Sequence, residues 1–307
     1  MLADAIREKK SGILLYGLTP PKASHTHAEI EEIAQRQMAR LENVSLDGLV
    51  LYDLQDEAQR TKETRPFPFL ETIAPQAYAT EYLHPLGLPF VVYRAIGKYP
   101  KEETATWLQA HNDPRALSVF VGAAAKDQPM SMSMQEAYGL RREVAPWLLL
   151  GGIAIPERHM KKHDEHERVV QKVEEGCSFF VTQAVYDLEA SKRFLDDYVA
   201  LSKKKNIPLV PIIFTLTPCG SEKTLAFMKW LGIHVSPMLE EMLLVSDDML
   251  GGSLAHVRYV AKMLYMYGTS KGVPVGFNIE SVAIRKAEIE ASVALVEQVR
   301  EITLNKA

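Results

Sequence analysis

Eight short, β-prone, mostly apolar runs recur along this chain, at residues 13–16, 48–52, 89–94, 117–121, 147–153, 179–183, 209–216 and 273–278. Most are apolar on successive residues rather than alternating, the pattern of parallel strands buried on both faces. Helical spacing fills the gaps, at 25–41, 69–82, 101–111, 134–144, 163–175, 188–204 and 221–231, and again after the last strand at 283–302. The first of these sets Ile30, Ile33, Met38 and Leu41 among Glu and Arg; the last does the same with Ile284, Ile289, Val293, Val296 and Val299. Eight such units in 307 residues, with no Pro/Gly/Ser-rich linker and no shift of composition, predict one α/β domain over 1–307, a (β/α)8 TIM barrel. Helical stretches at 236–244 and 252–267 read as an insertion before the last strand. An open doubly wound sheet is the runner-up, but no strand is followed by the glycine-rich dinucleotide fingerprint. Gly151-Gly152 and Gly251-Gly252 read instead as turn or close-packing glycines.

Composition removes several classes. Thirty-five Lys and Arg against 39 Asp and Glu give a net charge of −4, too balanced for a dedicated nucleic-acid binder. The longest stretch without a formal charge, residues 206–221, has 16 residues and three prolines, too short and too broken for a membrane span. Charges crowd the first ten positions, so no secretory signal is expected there. Two cysteines, Cys177 and Cys219, make neither a disulfide framework nor a metal set, and a reducing cytoplasm is the expected location.

In a barrel the chemistry sits at the C-terminal ends of the strands. Those ends carry Gly17 to Pro21; Tyr52, Asp53, Asp56 and Glu57; Tyr93, Arg94 and Lys98; Gly122 and Ala123; Glu157 to His159; Thr182 and Gln183; Thr215 and Thr217; Asn278 and Glu280. No Ser-His-Asp order and no strand-end cysteine argue for covalent acyl transfer, since Cys177 precedes its strand. His159, His163 and His166 invite a metal reading. They read more simply as a charged helix start, because no second cluster supplies the missing ligand, and no metal is expected. What remains is a cup of amides, carboxylates and a few cations, suited to a small polar heterocycle. Gln183 offers donor and acceptor together, as needed to read the edge of a pterin, flavin or nicotinamide. Its plainer role is filling a barrel layer. Glu57 and Asp53 are candidates for a general acid raised by partial burial, or else solvated loop carboxylates. Arg94 and Lys98 would hold an anionic substrate tail, or are surface cations.

At these strand ends the chain resembles the methylenetetrahydrofolate reductase family, from Gly12 to Val282. Ala154-Ile155-Pro156-Glu157-Arg158-His159 is similar to the family's Ala-Tyr-Pro-Glu-x-His turn after strand five. Gln171 to Gln183 is similar to its Lys-x-x-x-Gly-Ala-x-x-x-x-Thr-Gln stretch, and Tyr16 to Pro21 to its strand-one signature. The middle signature is the most specific. The resemblance implies a barrel enzyme that reduces methylenetetrahydrofolate to methyltetrahydrofolate with a nicotinamide nucleotide, normally through FAD. It implies that Gln183 contacts folate, and that Lys172 and His159 match positions touching the flavin nucleotide.

The chain departs from the family at its acids. Gly17 stands where the family has a strand-one Glu, and Val121-Gly122-Ala123 where it has Arg-Gly-Asp after strand four. The strand-seven Phe is replaced near Glu222, and Ile279-Glu280-Ser281-Val282 replaces Thr-Leu-Asn-Arg after strand eight. Carboxylates appear elsewhere, at Asp53, Asp56, Glu57 and Glu280. The chain therefore resembles the divergent branch thought to pass hydride from NADH or NADPH to folate without FAD. On that reading Glu57 protonates N10, with Asp53 as backup. Glu280 and Gln183 hold the pterin edge, and the nicotinamide stacks beside Tyr52 or Tyr93. The rival expectations are a catalytically silent folate-binding or partner subunit, and a folate-dependent barrel methyltransferase.

Overall fold

The computed structural model describes residues 1–56, 61, 63–123 and 130–304. Eight parallel strands close into a barrel in sequence order: β1 (Leu14–Leu18), β2 (Gly48–Leu51), β3 (Phe90–Ala95), β4 (Leu117–Val121), β5 (Leu149–Ala154), β6 (Cys177–Ala184), β7 (Ile212–Leu216) and β8 (Val275–Ile279), which returns to pair with β1. The helices are α1 (Leu2–Arg7), α2 (His27–Leu41), α3 (Pro75–Ala77, running on as a π-helical turn over Tyr78–Leu83), α4 (Lys101–Ala110), α5 (Met134–Val144), α6 (Pro156–Lys162), α7 (Glu165–Glu174), α8 (Leu188–Lys205), α9 (Glu222–Trp230), α10 (Pro237–Leu244), α11 (Met249–Ser270) and α12 (Lys286–Leu304). All eight expected strands are present, and α10 and α11 are the extra helices before β8. Two helices escaped the periodicity. The six-residue α1 is too short to show a period, and α6 begins at a proline and merges in sequence with α7.

Local chemistry sets the helix starts. Thr26 with Glu29 and Ser133 with Glu136 form reciprocal capping boxes, each satisfying two otherwise orphaned amides. Asp187, Ser221, Ser236 and Asp248 cap α8 to α11 with one side-chain acceptor each.

The core has two layers. Leu15, Val50, Val91, Tyr93, Val119, Phe179, Val181 and Ile213 fill the barrel interior, and Leu2, Ala3 and Ile6 of α1 join them at its N-terminal end. A larger apolar layer lies between the strands and the helices. Gly151 and Gly152 serve this packing: a β-carbon at Gly151 would come within 2.5 Å of the Phe179 ring, and one at Gly152 within 2.8 Å of Phe180. Side chains alternate in and out along each strand. Counting by two from these interior residues therefore tells which strand-end groups face the mouth. Cys177 opens β6 rather than preceding it, but it lies at the end away from the mouth and is buried.

Candidate functional site

Two cavities open among the strand ends. The first, of about 540 Å³, has Tyr93, Ile153, Thr182 and Gln183 in its wall, with Arg158, Arg168 and Lys172 from α6 and α7. The second, of about 590 Å³, lies beside β1, β2 and β8 and is more apolar, with Gly17, Phe67, Phe227 and Val293 in its wall and Lys22 and Arg40 at its edge. Tyr52, Gln55, Leu231, Glu280 and Val282 line both.

Arg65, Phe67, Pro68 and Leu70, in the loop between β2 and α3, form part of the second cavity's wall. The amide of Ile73 donates to the Pro21 carbonyl and that of Ala23 to the Glu71 carbonyl, which ties this loop to the loop after β1. On the far side the Trp230 indole donates to the Glu63 carbonyl at 3.1 Å, and the Arg65 guanidinium lies over the rings of Phe69, Phe227 and Trp230. Gln55 donates to the Gly122 carbonyl at 2.9 Å and so bridges the loops after β2 and β4.

Glu280 and Tyr52 line both cavities, where the two meet. Burial pushes the Glu280 carboxyl up to about 7, against the opposing pull of a hydrogen bond with the Tyr52 hydroxyl. That hydroxyl also accepts from Asn278 Nδ2 at 2.8 Å, and the same amide nitrogen reaches Thr215 Oγ1 at 3.2 Å. The Tyr52 ring meets Tyr93 edge to face, with centroids 5.0 Å apart. A carboxyl near 7 is divided between its acid and base forms at neutral pH, the condition that suits a proton donor.

Gln183, two residues past Val181, points inward into the first cavity. Its Nε2 donates to the Leu231 carbonyl at 2.6 Å, which sets the amide plane and leaves the carbonyl oxygen and a second N–H to offer a ligand. Lys172 reaches the same cavity, but its ammonium donates to the Ile153 carbonyl at 2.6 Å, and burial lowers its pKa.

The other expected site residues lie elsewhere. Asp53 follows inward-facing Tyr52 and so turns outward. Its side chain is 0% exposed, accepting from Lys98 Nζ at 3.0 Å and from the Ala95 amide at 2.9 Å, and it lines neither cavity. Lys98 is thereby spent on Asp53 rather than on a substrate tail. Arg94, next to inward-facing Tyr93, also turns outward: it stacks on Tyr99 at 3.4 Å and pairs with Glu103 at 3.1 Å. Asp53, Arg94 and Lys98, expected as acid and anion clamp, thus all stand outside the two cavities. His159 faces α8, with Nε2 2.8 Å from Asp197, and lines neither cavity. The residue matched to a flavin nucleotide contact therefore stands apart from both cavities. Glu57 lies outside the described residues. Glu157 is structural, its two oxygens accepting the amides of Tyr186, Asp187 and His234 at 2.7–3.1 Å.

Fold and site together define a (β/α)8 barrel whose strand ends form a double pocket meeting at Glu280. The methylenetetrahydrofolate reductase family model matches residues 125–264. A structure described as an uncharacterized protein from Clostridium thermocellum that binds two copies of 5-methyl-5,6,7,8-tetrahydrofolic acid is 46% identical, covers 98% of this chain and 100% of its own, and superposes with a TM-score of 0.88. The chain belongs to the methylenetetrahydrofolate reductase family. Dihydropteroate synthase from Thermus thermophilus, in complex with 4-aminobenzoate, is 13% identical over 95% of each chain, with a TM-score of 0.46, a likeness that carries no functional weight. No curated protein matches. Among the described residues, no helix is long and apolar enough to cross a membrane.

Proposed function

We propose that this chain reduces 5,10-methylenetetrahydrofolate to 5-methyltetrahydrofolate with hydride taken directly from NADH or NADPH, without FAD. The observation that carries this reading is the meeting of two cavities at Glu280 and Tyr52. Two flat ligands, one in each cavity, come together at a carboxyl group. In the first, Gln183 reads the pterin edge while Arg158 and Arg168 stand at the rim for the carboxylates of the glutamate tail. In the second, Phe67, Phe227 and Leu231 present apolar surface to the nicotinamide nucleotide, which supplies the hydride, and Lys22 and Arg40 flank its phosphates.

Glu280 donates the proton. Protonation at N10 opens the five-membered ring to an iminium, the form that accepts hydride, and a held geometry removes most of the entropic barrier to that transfer. This moves Glu280 from a pterin-edge contact to the acid, the role that the sequence alone suggested for Glu57. Tyr52 fills the space in front of Gly17, at the position matched to the family's strand-one carboxylate. A flavin is not required on this reading, because Gly17 and Ala123 replace family carboxylates and His159 faces α8. The two buried, free cysteines suit a reducing cytoplasm.

A second reading has an observation of its own. The Clostridium thermocellum relative is described as binding two copies of methyltetrahydrofolate, and a double pocket suits a folate carrier or partner subunit as well. The test is NADH and NADPH oxidation with methylenetetrahydrofolate, with and without FAD, beside an absorption spectrum of the purified protein. Colourless protein with FAD-independent turnover is expected. Saturable binding of two folates per chain with no turnover under any of these conditions would replace reduction by the binding reading.

A further inference from the structure

Outside both cavities, α6, α7 and α8 pack together around a second constellation of chemistry-bearing side chains. His159 comes from α6, His166 from the first turn of α7, and Asp197 from the middle of α8. One ring nitrogen of each histidine and one carboxylate oxygen of Asp197 all lie within 4.8 Å of one another.

We propose that His159, His166 and Asp197 form a binding site for a divalent cation of the zinc type, separate from the folate site. Two imidazole nitrogens and one carboxylate oxygen are a donor set that zinc takes readily, with a fourth position left to solvent. Ligand atoms around a tetrahedral zinc stand roughly 3.3–3.5 Å apart, given metal–ligand distances of ~2.0–2.1 Å. The cluster therefore has to contract by no more than about 1.5 Å. Asp197, with 53% of its side chain exposed, and half-buried His166 have room to make that adjustment, while His159, 1% exposed, is the fixed member.

A second observation points to a ligand. Nδ1 of His159 and Nδ1 of His166 are both buried, and neither has a hydrogen-bond partner among the described residues. His159 already turns Nε2 to Asp197, so the orphan that points to a ligand is Nδ1 of His166; buried polar atoms are rarely left so. The His159–Asp197 contact at 2.8 Å already holds one donor pair together. His163 is not part of the set: its ring stands 5.7 Å from that of His159, and its left-handed backbone ends α6. An ion here would join three consecutive helices on the flank of the barrel and so raise its resistance to unfolding.

The full-length protein, treated with EDTA and dialysed, would be titrated with Zn²⁺ by calorimetry and melted with and without the ion. One Zn²⁺ per chain and a raised Tm are expected. His166→Ala and Asp197→Asn should each weaken Zn²⁺ binding tenfold or more. Neither should move the metal-free Tm appreciably, as both side chains are partly solvent-facing. His84→Ala, at an exposed histidine elsewhere, should leave the affinity unchanged. Absence of saturable binding, or wild-type affinity in both His166→Ala and Asp197→Asn, would overturn the site and leave His159–Asp197 as a plain hydrogen bond.

Discussion

The Tyr52 hydroxyl lies 2.6 Å from where a β-carbon on Gly17 would stand. No side chain at position 17 fits beside Tyr52 as it is placed, so Gly17 is what lets Tyr52 stand where it does. Gly17→Ala should push the Tyr52 ring off its edge contact with Tyr93, costing about 1–3 kcal/mol as overpacking does. Chemical denaturation would show the loss. Stability equal to wild type would mean that Tyr52 moves freely and does not fix Glu280.

Glu280→Gln removes the proposed proton donor while keeping its shape. Turnover should fall by ~10²–10⁴-fold, as for loss of a positioned general acid, with nicotinamide binding little changed. Because the acid form is the active one and the carboxyl titrates near 7, wild-type kcat should decline as pH rises through about 7. That limb should be missing from the residual activity of Glu280→Gln. A variant with full activity and the same pH profile would return the acid role to Glu57.

The same carboxyl makes stability depend on pH, together with Glu157, which burial also raises to about 7 despite three amide donors. Both groups bind their proton more tightly folded than unfolded. Their contribution is thus fully present below the ordinary carboxylate value of 4.5 and is lost as pH rises through about 7. Denaturation midpoints measured from pH 5 to pH 8 should show this decline, and it should be shallower in Glu280→Gln. Glu157→Ala, in contrast, leaves three amides without their acceptor, at roughly 1–3 kcal/mol for each left unsatisfied, and should destabilise at every pH.

Gln183→Leu keeps the volume and loses the amide. If Gln183 reads the pterin edge, kcat/KM should drop by the equivalent of about 1–3 kcal/mol, while the melting transition moves far less. Unchanged kcat/KM would make the bond to the Leu231 carbonyl its whole purpose.

Arg94→Ala tests the outward placement. Loss of the stack on Tyr99 and Trp107 and of the pair with Glu103 should lower stability by roughly 1–2 kcal/mol. KM for folate should not change. A raised KM with unaltered stability would put the guanidinium on the substrate after all.

The barrel itself was legible in the sequence, because strand and helix periods are carried by neighbouring residues and eight repeats of one unit leave few ways to close. That Gln183 stands in a cavity wall was legible too, as the end of a motif of fixed spacing. The two-residue period of each strand, counted from Val50, Val91 and Val181, sends Tyr52, Tyr93 and Gln183 inward and sends Asp53 and Arg94 out. Applied to Gly276 and Asn278 of β8, the same count brings Glu280 to the mouth. What the tertiary structure alone decided were the partners: that Lys98 and the Ala95 amide close around Asp53, that Glu280 lines both cavities where they meet, and that Asp197, 38 residues beyond His159, joins the two histidines. Local spacing determines which way a side chain points. What it meets there is set by strands and helices far away in the chain, and no short-range pattern records that until the barrel has closed.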